Sequence, residues 1–185
     1  SFTLDPRDLP KRITSRTRLI VAVHMSGASA DMRSILAVAD ARKIPVLEDC
    51  AQANGASFEG KRVGSMGRMG IFSLQLNKNM TTGEGGMIVT NDRDLYRRAF
   101  AIHDLGYPRI DGRLALRDGP YALWGFGGRM TELAGAIGRV QLTKLPRIVR
   151  AMRAAKRKVR AAVSGVPGLT PRRLNDEAGD SGAFL

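Results

Sequence analysis

The segment from residue 19 to residue 49 constrains the fold more than any other. Leu19–Val23 is a continuous apolar run rich in β-branched residues, which is typical of a strand buried on both faces of a parallel sheet. Residues 31–43 then show apolar side chains at helical spacing. Residues 46–49 form a second short strand that ends in Asp49. Two strands joined by a helix of this length predict a parallel β-α-β unit.

A loop that carries a lysine lies between two further apolar segments. Residues 71–74 and 87–90 are each predicted to form a short strand, and Lys78 lies between them in a loop rich in Thr and Gly. A lysine on a loop after a buried strand can carry out carbonyl chemistry, because partial burial makes an ammonium lose its proton more readily. A loop lysine is more often an ordinary solvated charge, so Lys78 alone decides nothing.

The other segments predict a hairpin, three helices and one long connection. Residues 58–63 favour a hairpin, and Asp92 is predicted to cap a helix. The apolar face of that helix is formed by Leu95, Ala99 and Ile102. Residues 103–123 lack a regular pattern, and a connection of that length indicates a functional or interface loop.

The last third of the chain predicts one helix over residues 129–142 and a second, basic helix that begins at Pro146. The arginines on the polar side of the second helix are expected to face solvent. They are Arg150, Arg153, Arg157 and Arg160. Residues 175–185 resemble the beginning of an unfinished element.

Composition excludes several classes of protein. Hydrophobic residues make up 43% of the 185 residues, which suits a globular chain. No apolar run approaches the roughly 20 residues that a membrane span needs, and residues 1–12 lack the apolar core of a signal peptide. The single cysteine, Cys50, excludes an internal disulfide and fits a reducing compartment. We therefore expect a cytoplasmic protein. The missing initiator Met allows for processing or for a fragment.

The formal net charge is +13, and such a charge can attract phosphate groups or nucleic acid. The basic residues are spread along the chain, with the highest density at residues 147–160. No aromatic interleaving, zinc-ligand spacing or RNA-binding signature accompanies them. Nucleic-acid binding is therefore only weakly supported, since a solvated basic face is commoner, and no metal site is predicted.

Polar residues cluster where the predicted strands end. His24, Asp49 and the segment 73–78 all lie at or just beyond such ends. Ligands in open α/β sheets bind at the carboxyl ends of the strands, so this coincidence predicts a site. The alternatives are a turn or helix-cap role for Asp49 and a packed, hydrogen-bonded role for His24.

Four segments together resemble one known family. They are V-H-M-S-G at 23–27, E-D-C-A-Q-A-N-G at 48–55, F-S-L-Q-L-N-K-N-M-T-T-G-E-G-G at 72–86 and G-F-G-G-R-M-T-E-L at 125–133. In this order they resemble the DegT/DnrJ/EryC1/StrS sugar aminotransferases, pyridoxal 5'-phosphate (PLP) enzymes of fold type I. The resemblance implies an α/β fold, part of an aspartate-aminotransferase-like large domain with a mostly parallel sheet flanked by helices. Residues 1–145 are then a partial PLP-binding large domain. Residues 146–185 are the long helix and the start of a truncated small domain.

The resemblance also implies roles for individual residues. Lys78 matches the lysine that holds PLP as a Schiff base, and Asp49 matches the carboxylate that keeps the pyridine nitrogen protonated. Gln52 matches the side chain near the phenolic oxygen of the cofactor, and Ser73 matches a hydroxyl that binds its phosphate. In such a reaction, glutamate or glutamine is the usual amino donor, and a keto sugar, often nucleotide-linked, is the acceptor. The amine of Lys78 moves the proton of the substrate Cα. Dehydratase relatives carry histidine at the position of Lys78, so transamination is favoured here.

Two departures from the family pattern limit what the resemblance implies. Gly127 stands where most members have an asparagine that reaches the cofactor phosphate of the neighbouring subunit in the family's homodimer. The family's N-terminal region, which brings a phosphate-binding Gly-Thr turn and an aromatic side chain that stacks on the ring, is absent. We therefore expect the parent protein to be the enzyme and the isolated chain to hold PLP poorly and to be inactive. The rival interpretations are another PLP reaction or a regulatory role on the same fold, and a basic nucleic-acid-binding module.

Overall fold

The structure is a computed structural model that describes residues 1–110, 113–114 and 123–184. In chain order the helices and strands are α1 (Leu9–Arg12), β1 (Ile20–Val23), a single 3-10 turn (Met25–Gly27), α2 (Met32–Ala41), β2 (Val46–Asp49), β3 (Ser57–Phe58), β4 (Lys61–Arg62), β5 (Met69–Ser73), β6 (Gly86–Val89), α3 (Arg93–His103), β7 (Arg109–Ile110), β8 (Arg113–Leu114) and α4 (Glu132–Val163).

The centre of the fold is a four-stranded sheet with the strand order β1-β2-β5-β6. Strands β1, β2 and β5 are parallel, and β6 is antiparallel to β5. The predicted mostly parallel α/β sheet is therefore confirmed. In the register Val23 pairs with Asp49, Asp49 pairs with Ile71, and Ser73 pairs with Gly86. The carboxyl ends of three strands consequently lie along one edge of the sheet.

Helix α2 covers one face of this sheet. Asp31 caps the helix, because its carboxylate accepts a hydrogen bond of 3.1 Å from the Ser34 N–H. The buried side chains of the helix pack on alternate residues of β1 and β2, as the period-2 geometry of strands requires. The cluster contains Leu9, Ile20, Ala22, Ala30, Met32, Ile35, Ala39, Val46 and Phe58.

The opposite face of the sheet is open in the described structure. Val21 is 44% exposed and Ile88 is 51% exposed. The prediction that the Leu19–Val23 strand is buried on both faces is therefore wrong for this part of the chain. A continuous apolar run indicates that both faces of a strand are apolar, but packing depends on a second covering layer. No described element supplies that layer.

The hairpin and the cap of α3 are confirmed. Strands β3 and β4 pair antiparallel, and positive φ angles at Glu59 (49°) and Gly60 (79°) form the two-residue turn that hairpins favour. Asp92 accepts hydrogen bonds from the Asp94 and Leu95 N–H groups. The predicted apolar face is less accurate, since Ala101 is the buried residue of α3 and Ile102 is 39% exposed.

The two helices predicted after residue 129 form one helix. Helix α4 runs for 32 residues and contains Pro146 in its interior. Proline removes one helical hydrogen bond but does not always end a helix. Here Leu145 and Val149, on either side of the proline, pack against Gly55, where any Cβ would collide with the Val149 methyl group. The proposed division after residue 145 falls inside this helix and stays a prediction.

The basic side of α4 is less exposed than the sequence predicts. Arg150 and Arg157 face solvent, whereas Arg153 Nε donates to the Asp180 carbonyl and Arg160 lies 3.6 Å from the Glu177 carboxylate. The sequence missed this because residues 169–184, here called the C-terminal segment, fold back along the helix. Such a return is a tertiary contact without a local pattern.

Residues 103–123, the predicted functional loop, are described only in part. Strands β7 and β8 form a short antiparallel pair, while residues 111–112 and 115–122 lie outside the described residues. Next to this region Asp104 forms a bridge to Gly127, and its carboxylate binds Arg129 at 2.8 Å. In the described ranges, no helix is both long enough and apolar enough to cross a bilayer.

Candidate active site

Two of the predicted site residues share one face and one edge of the sheet. Asp49 is the last residue of β2, and Ser73 is the last residue of β5. Asp49 pairs with Ile71, which lies two residues before Ser73. Because side chains alternate along a strand, Asp49 and Ser73 point to the same side. This is the open face, opposite α2.

Asp49 keeps one carboxylate oxygen available. Its Oδ1 accepts a 3.0 Å hydrogen bond from the Ala51 N–H, which fixes the orientation of the half-buried side chain. Among the described residues, Oδ2 has no hydrogen-bond partner. An oriented carboxylate with a free oxygen is suited to accept a hydrogen bond from a protonated ring nitrogen.

Gln52 presents a hydrogen-bond donor. Its Oε1 lies 2.9 Å from the backbone nitrogen of Ser26. A backbone N–H can only donate, so the amide atom that it meets must be the oxygen. The Nε2 group consequently points away from Ser26 and, within the described chain, remains available to an acceptor.

Ser73 also retains a donor. Its Oγ accepts the Gln75 N–H at 3.3 Å, so the hydroxyl proton is free to be donated to an anion such as a phosphate oxygen. The backbone of Ser73 is held as well, because Asn54 Nδ2 donates to its carbonyl at 2.9 Å.

The loop that carries Lys78 is anchored at several points. The Lys78 N–H closes a turn on the Gln75 carbonyl at 3.0 Å, and the Thr82 N–H returns to the Leu74 carbonyl at 3.0 Å. Asn79 Nδ2 donates to the Asn54 carbonyl at 2.9 Å. The Lys78 side chain is half-buried and forms no ion pair with any described residue. The backbone of the Lys78 loop is therefore fixed, while the amine of Lys78 can move on its side chain.

Asn54 and Asn79 are positioning residues that the sequence reasoning missed. Together they join the turn after β2 to the Lys78 loop, through the Ser73 and Asn54 carbonyls. The available signal was the presence of an asparagine shortly after each of two strand ends. That signal is ambiguous, because asparagine is common in turns of every kind.

His24 takes the structural role that was the alternative to catalysis. It is fully buried, its Nε2 lies 3.0 Å from Glu48 Oε2, and its Nδ1 accepts the Ala30 N–H at 3.0 Å. Since Nδ1 accepts, the proton resides on Nε2, and the ring is a neutral donor to Glu48. His24 therefore ties β1 to β2.

Glu48 is the centre of a closed hydrogen-bond cluster on the α2 side. Besides His24, the carboxylate accepts the N–H groups of Gly64 (2.7 Å), Met66 (2.7 Å) and Gly67 (2.5 Å). Burial alone raises the pKa of this carboxyl, but the hydrogen bonds from His24 and the three backbone groups outweigh burial. The net pKa of Glu48 is lowered, so the group is ionised.

Cys50 lies beside this cluster, and the potential ligand atoms of His24, Glu48 and Cys50 lie within 4.8 Å of one another. Both His24 nitrogens and both Glu48 oxygens already form hydrogen bonds within the protein. Burial, together with the charges of Glu48 and Asp49, raises the pKa of the Cys50 thiol far above its usual range. The thiolate that binds metals is therefore disfavoured, and the cluster is structural.

The comparisons with known proteins decide the family. A sequence profile of the DegT/DnrJ/EryC1/StrS aminotransferase family matches residues 1–185. The chain belongs to this family. An L-glutamine:2-deoxy-scyllo-inosose aminotransferase from Streptomyces fradiae is 38% identical over 187 aligned positions, which cover 95% of this chain and 42% of that protein. A GDP-perosamine synthase from Escherichia coli O157:H7 is 39% identical over 142 residues, 77% of this chain and 37% of that protein.

A solved structure shows the same fold. The Escherichia coli GDP-4-keto-6-deoxy-D-mannose-3-dehydratase with bound hydrated PLP has a TM-score of 0.87 and 28% identity, covering 98% of this chain and 49% of that one. The predicted family and the predicted PLP-dependent transferase fold are confirmed. The chain spans less than half the length of these three proteins.

The side chains at the open edge of the sheet fit PLP in chemical kind. The cofactor has a basic ring nitrogen, a phenolic oxygen, a phosphate and an aldehyde. The edge offers a free carboxylate oxygen on Asp49, an amide donor on Gln52, a hydroxyl proton on Ser73 and an amine on Lys78. Each cofactor group therefore has one chemically matched partner in this chain.

Proposed function

We propose that the full-length protein is a PLP-dependent aminotransferase that transfers an amino group from glutamate or glutamine to a keto sugar, in particular a nucleotide-linked one. One observation carries the proposal: in a chain of this family, the anchored loop with Lys78 follows β5, whose end lies beside the end of β2, and Asp49 and Ser73 are the last residues of these strands. The names of two relatives, an L-glutamine:2-deoxy-scyllo-inosose aminotransferase and a GDP-perosamine synthase, support the two substrate classes.

Each residue has a defined task in this proposal. Bound PLP supplies an electron-accepting ring that stabilises negative charge on the substrate. Asp49 Oδ2 would hold a proton on the ring nitrogen, while Oδ1 accepts the Ala51 N–H and so fixes the orientation of the carboxylate. Ser73 donates to the phosphate, and Gln52 donates to the phenolic oxygen. Lys78 would hold the cofactor through its aldehyde carbon, and its amine would move the substrate proton as base and acid.

The proposed homodimer is supported by an exposed apolar patch. Trp124 is 97% exposed and Leu133 is 73% exposed. Phe126 and Met130, just before α4, and Ile137 and Val140, on the Leu133 side of its first turns, are exposed as well. Large exposed patches of this kind mark protein interfaces. Gly127, where most members of the family have asparagine, is exposed in the same part of the chain, so another group must supply any cross-subunit phosphate contact.

The open sheet face supports the inference that the 185 residues alone hold PLP weakly and are inactive. Val21 and Ile88 are about half exposed on the side where Asp49 and Ser73 point. Water at such a face competes with every polar contact to the cofactor and weakens electrostatic interactions. The cytoplasmic location is likewise a proposal, supported by the one buried, free cysteine.

The similarity to a dehydratase structure favours a second candidate, a different PLP-dependent reaction on the same fold. Assays on the full-length protein separate the two. We expect L-glutamate or L-glutamine to remove the visible absorbance of bound PLP, and a keto sugar to restore it. Lys78→Ala should abolish both changes, while Lys61→Ala, at an exposed residue of β4, should alter neither. If no amino donor changes the spectrum although PLP is bound, the aminotransferase proposal is wrong and the second candidate stands.

A further inference from the structure

The turn after β1 supports Gln52 through an unusual backbone conformation. Ser26 has φ 52° and ψ 46°, a left-handed conformation that non-glycine residues seldom adopt. This conformation directs the Ser26 N–H to Gln52 Oε1 at 2.9 Å. A residue in such a conformation stays there only when its surroundings hold it.

The C-terminal segment supplies those surroundings. Carbonyl oxygens of residues 25, 26, 27 and 29 accept hydrogen bonds from it. The bonds are Arg172 Nη2 to Met25 O (2.7 Å), Arg172 Nη1 to Ser26 O (3.5 Å), the Ser181 N–H to Gly27 O (2.9 Å) and Asn175 Nδ2 to Ser29 O (2.9 Å). The approach is close, because a Cβ at Gly27, where φ is 81°, would collide with the Ser181 hydroxyl.

The C-terminal segment is itself fixed to α4. Lys156 Nζ lies 2.9 Å from Asp180 Oδ2, and both side chains are almost completely buried, at 7% and 4% exposure. Arg153 Nε donates to the Asp180 carbonyl. A buried ion pair holds its two elements in one arrangement, because separating the charges without water is costly. Contacts therefore run without interruption from α4 through the C-terminal segment to Ser26 and Gln52.

We propose that Arg172 is a positioning residue of the active site. It fixes the turn at residues 25–29 so that the Ser26 N–H binds Gln52 Oε1, and Gln52 therefore presents only its Nε2 donor to the phenolic oxygen of PLP. The identity of that oxygen rests on the proposed function, whereas the contact between the turn and Gln52 does not. If the Gln52 amide were flipped, its oxygen would face the anionic phenolic oxygen of PLP. The hydrogen bond from the Ser26 N–H prevents this flip.

The first test measures the turn without cofactor. Hydrogen exchange of the Ser26 amide in the full-length apoprotein reports the bond to Gln52 directly. In Arg172→Met and in Gln52→Ala we expect the protection of this amide to fall roughly tenfold, the effect of losing one hydrogen bond. Arg172→Lys, which retains one donor to the carbonyls, should keep part of the protection. Arg173→Met, at an exposed neighbour, is the matched control and should change nothing.

The second test measures the amide orientation with PLP bound. A donor on the phenolic oxygen stabilises its negative charge and weakens its hold on the proton of the nearby Lys78 nitrogen. Gln52→Glu keeps the acceptor for Ser26 but loses the donor. It should retain Ser26 protection and raise the pH midpoint of the visible absorbance change by about one unit. Arg172→Met should raise the same midpoint by a smaller amount, and Arg173→Met should leave it unchanged.

Unchanged Ser26 protection and an unchanged midpoint in folded Arg172→Met overturn the proposal, even if that variant melts at a lower temperature. If Arg172→Met does not fold, Asn175→Ala takes its place, with an expected severalfold loss of Ser26 protection; full protection in that variant has the same negative meaning. If PLP produces no visible band in the full-length protein, the proposed function fails, while the exchange data still decide the role of Arg172.

Discussion

Glu48 and Asp49 are consecutive carboxylates on one strand, and the sheet gives them opposite roles. Glu48 points to the α2 side, where it is fully buried and accepts four hydrogen bonds. Asp49 points to the open side, where it is half-buried and accepts one. A carboxylate with every acceptor position occupied can stabilise a fold but cannot bind a ligand. Of the two carboxylates, only Asp49 therefore has an acceptor position that a ligand could use.

The largest expected effect is on the open side, at Lys78. If the proposed function is correct, Lys78→Ala in the full-length protein removes both the attachment point for PLP and the group that moves the proton. We expect kcat/KM for amino transfer to fall by about 10⁴-fold, with little change in thermal stability. Steady-state kinetics and thermal unfolding of the same preparation measure the two quantities. A variant that retains a tenth of the activity would place the catalytic amine elsewhere.

The second effect is on the closed side. Glu48→Ala leaves His24 Nε2 and three backbone N–H groups without an acceptor in a buried site. Breaking such a buried, charged cluster costs about 3–5 kcal/mol in the free energy of unfolding. Urea titration of the variant and the wild type measures the loss. A loss below 1 kcal/mol would show that the two sides of β2 do not differ in the way described.

Asp49→Asn provides the matched comparison with Glu48→Ala. The amide keeps the size of Asp49 but cannot hold a proton on a ring nitrogen as an anion does. We expect roughly a 10²- to 10³-fold loss of kcat and a change in stability within about 0.5 kcal/mol. Kinetics and urea titration together test this prediction. If the variant is destabilised while its kcat is normal, Asp49 is a structural turn residue.

A smaller effect concerns pH. The pKa of Glu48 in the folded protein is lowered from its ordinary value of 4.5, so the unfolded chain binds the proton first as pH falls. The stabilisation from Glu48 is therefore complete above the ordinary pKa and is lost as pH falls through the folded value. The stability difference between wild type and Glu48→Ala should shrink below about pH 4.5. A difference that is constant from pH 7 to pH 3 would contradict the ionised cluster.

The sequence predicted those features that have a local cause. The β-α-β unit of residues 19–49 follows from apolar periodicity, and the cap at Asp92 follows from one side chain and its own backbone neighbours. The gathering of Asp49 and Ser73 at one edge follows from the general geometry of parallel strands. Their roles, by contrast, came from the family resemblance.

The missed features depend on distant partners. Helix α4 continues through Pro146, and Leu145 and Val149 on either side of it pack on Gly55. Nothing in the local sequence reveals that contact. The buried pair of Lys156 and Asp180 joins residues 24 positions apart. Lysine is seldom buried, so the sequence of a basic helix predicts a solvated face. The burial of Lys156 becomes evident only when its contact with Asp180 is known.

Chemical trapping shows directly whether Lys78 is the amine that holds PLP. The full-length protein is loaded with PLP, reduced with borohydride, digested, and analysed by peptide mass spectrometry. We expect one phosphopyridoxyl-modified lysine, Lys78, and loss of that modification in Lys78→Ala but not in Lys61→Ala. Modification of a different lysine, or of none, would contradict it.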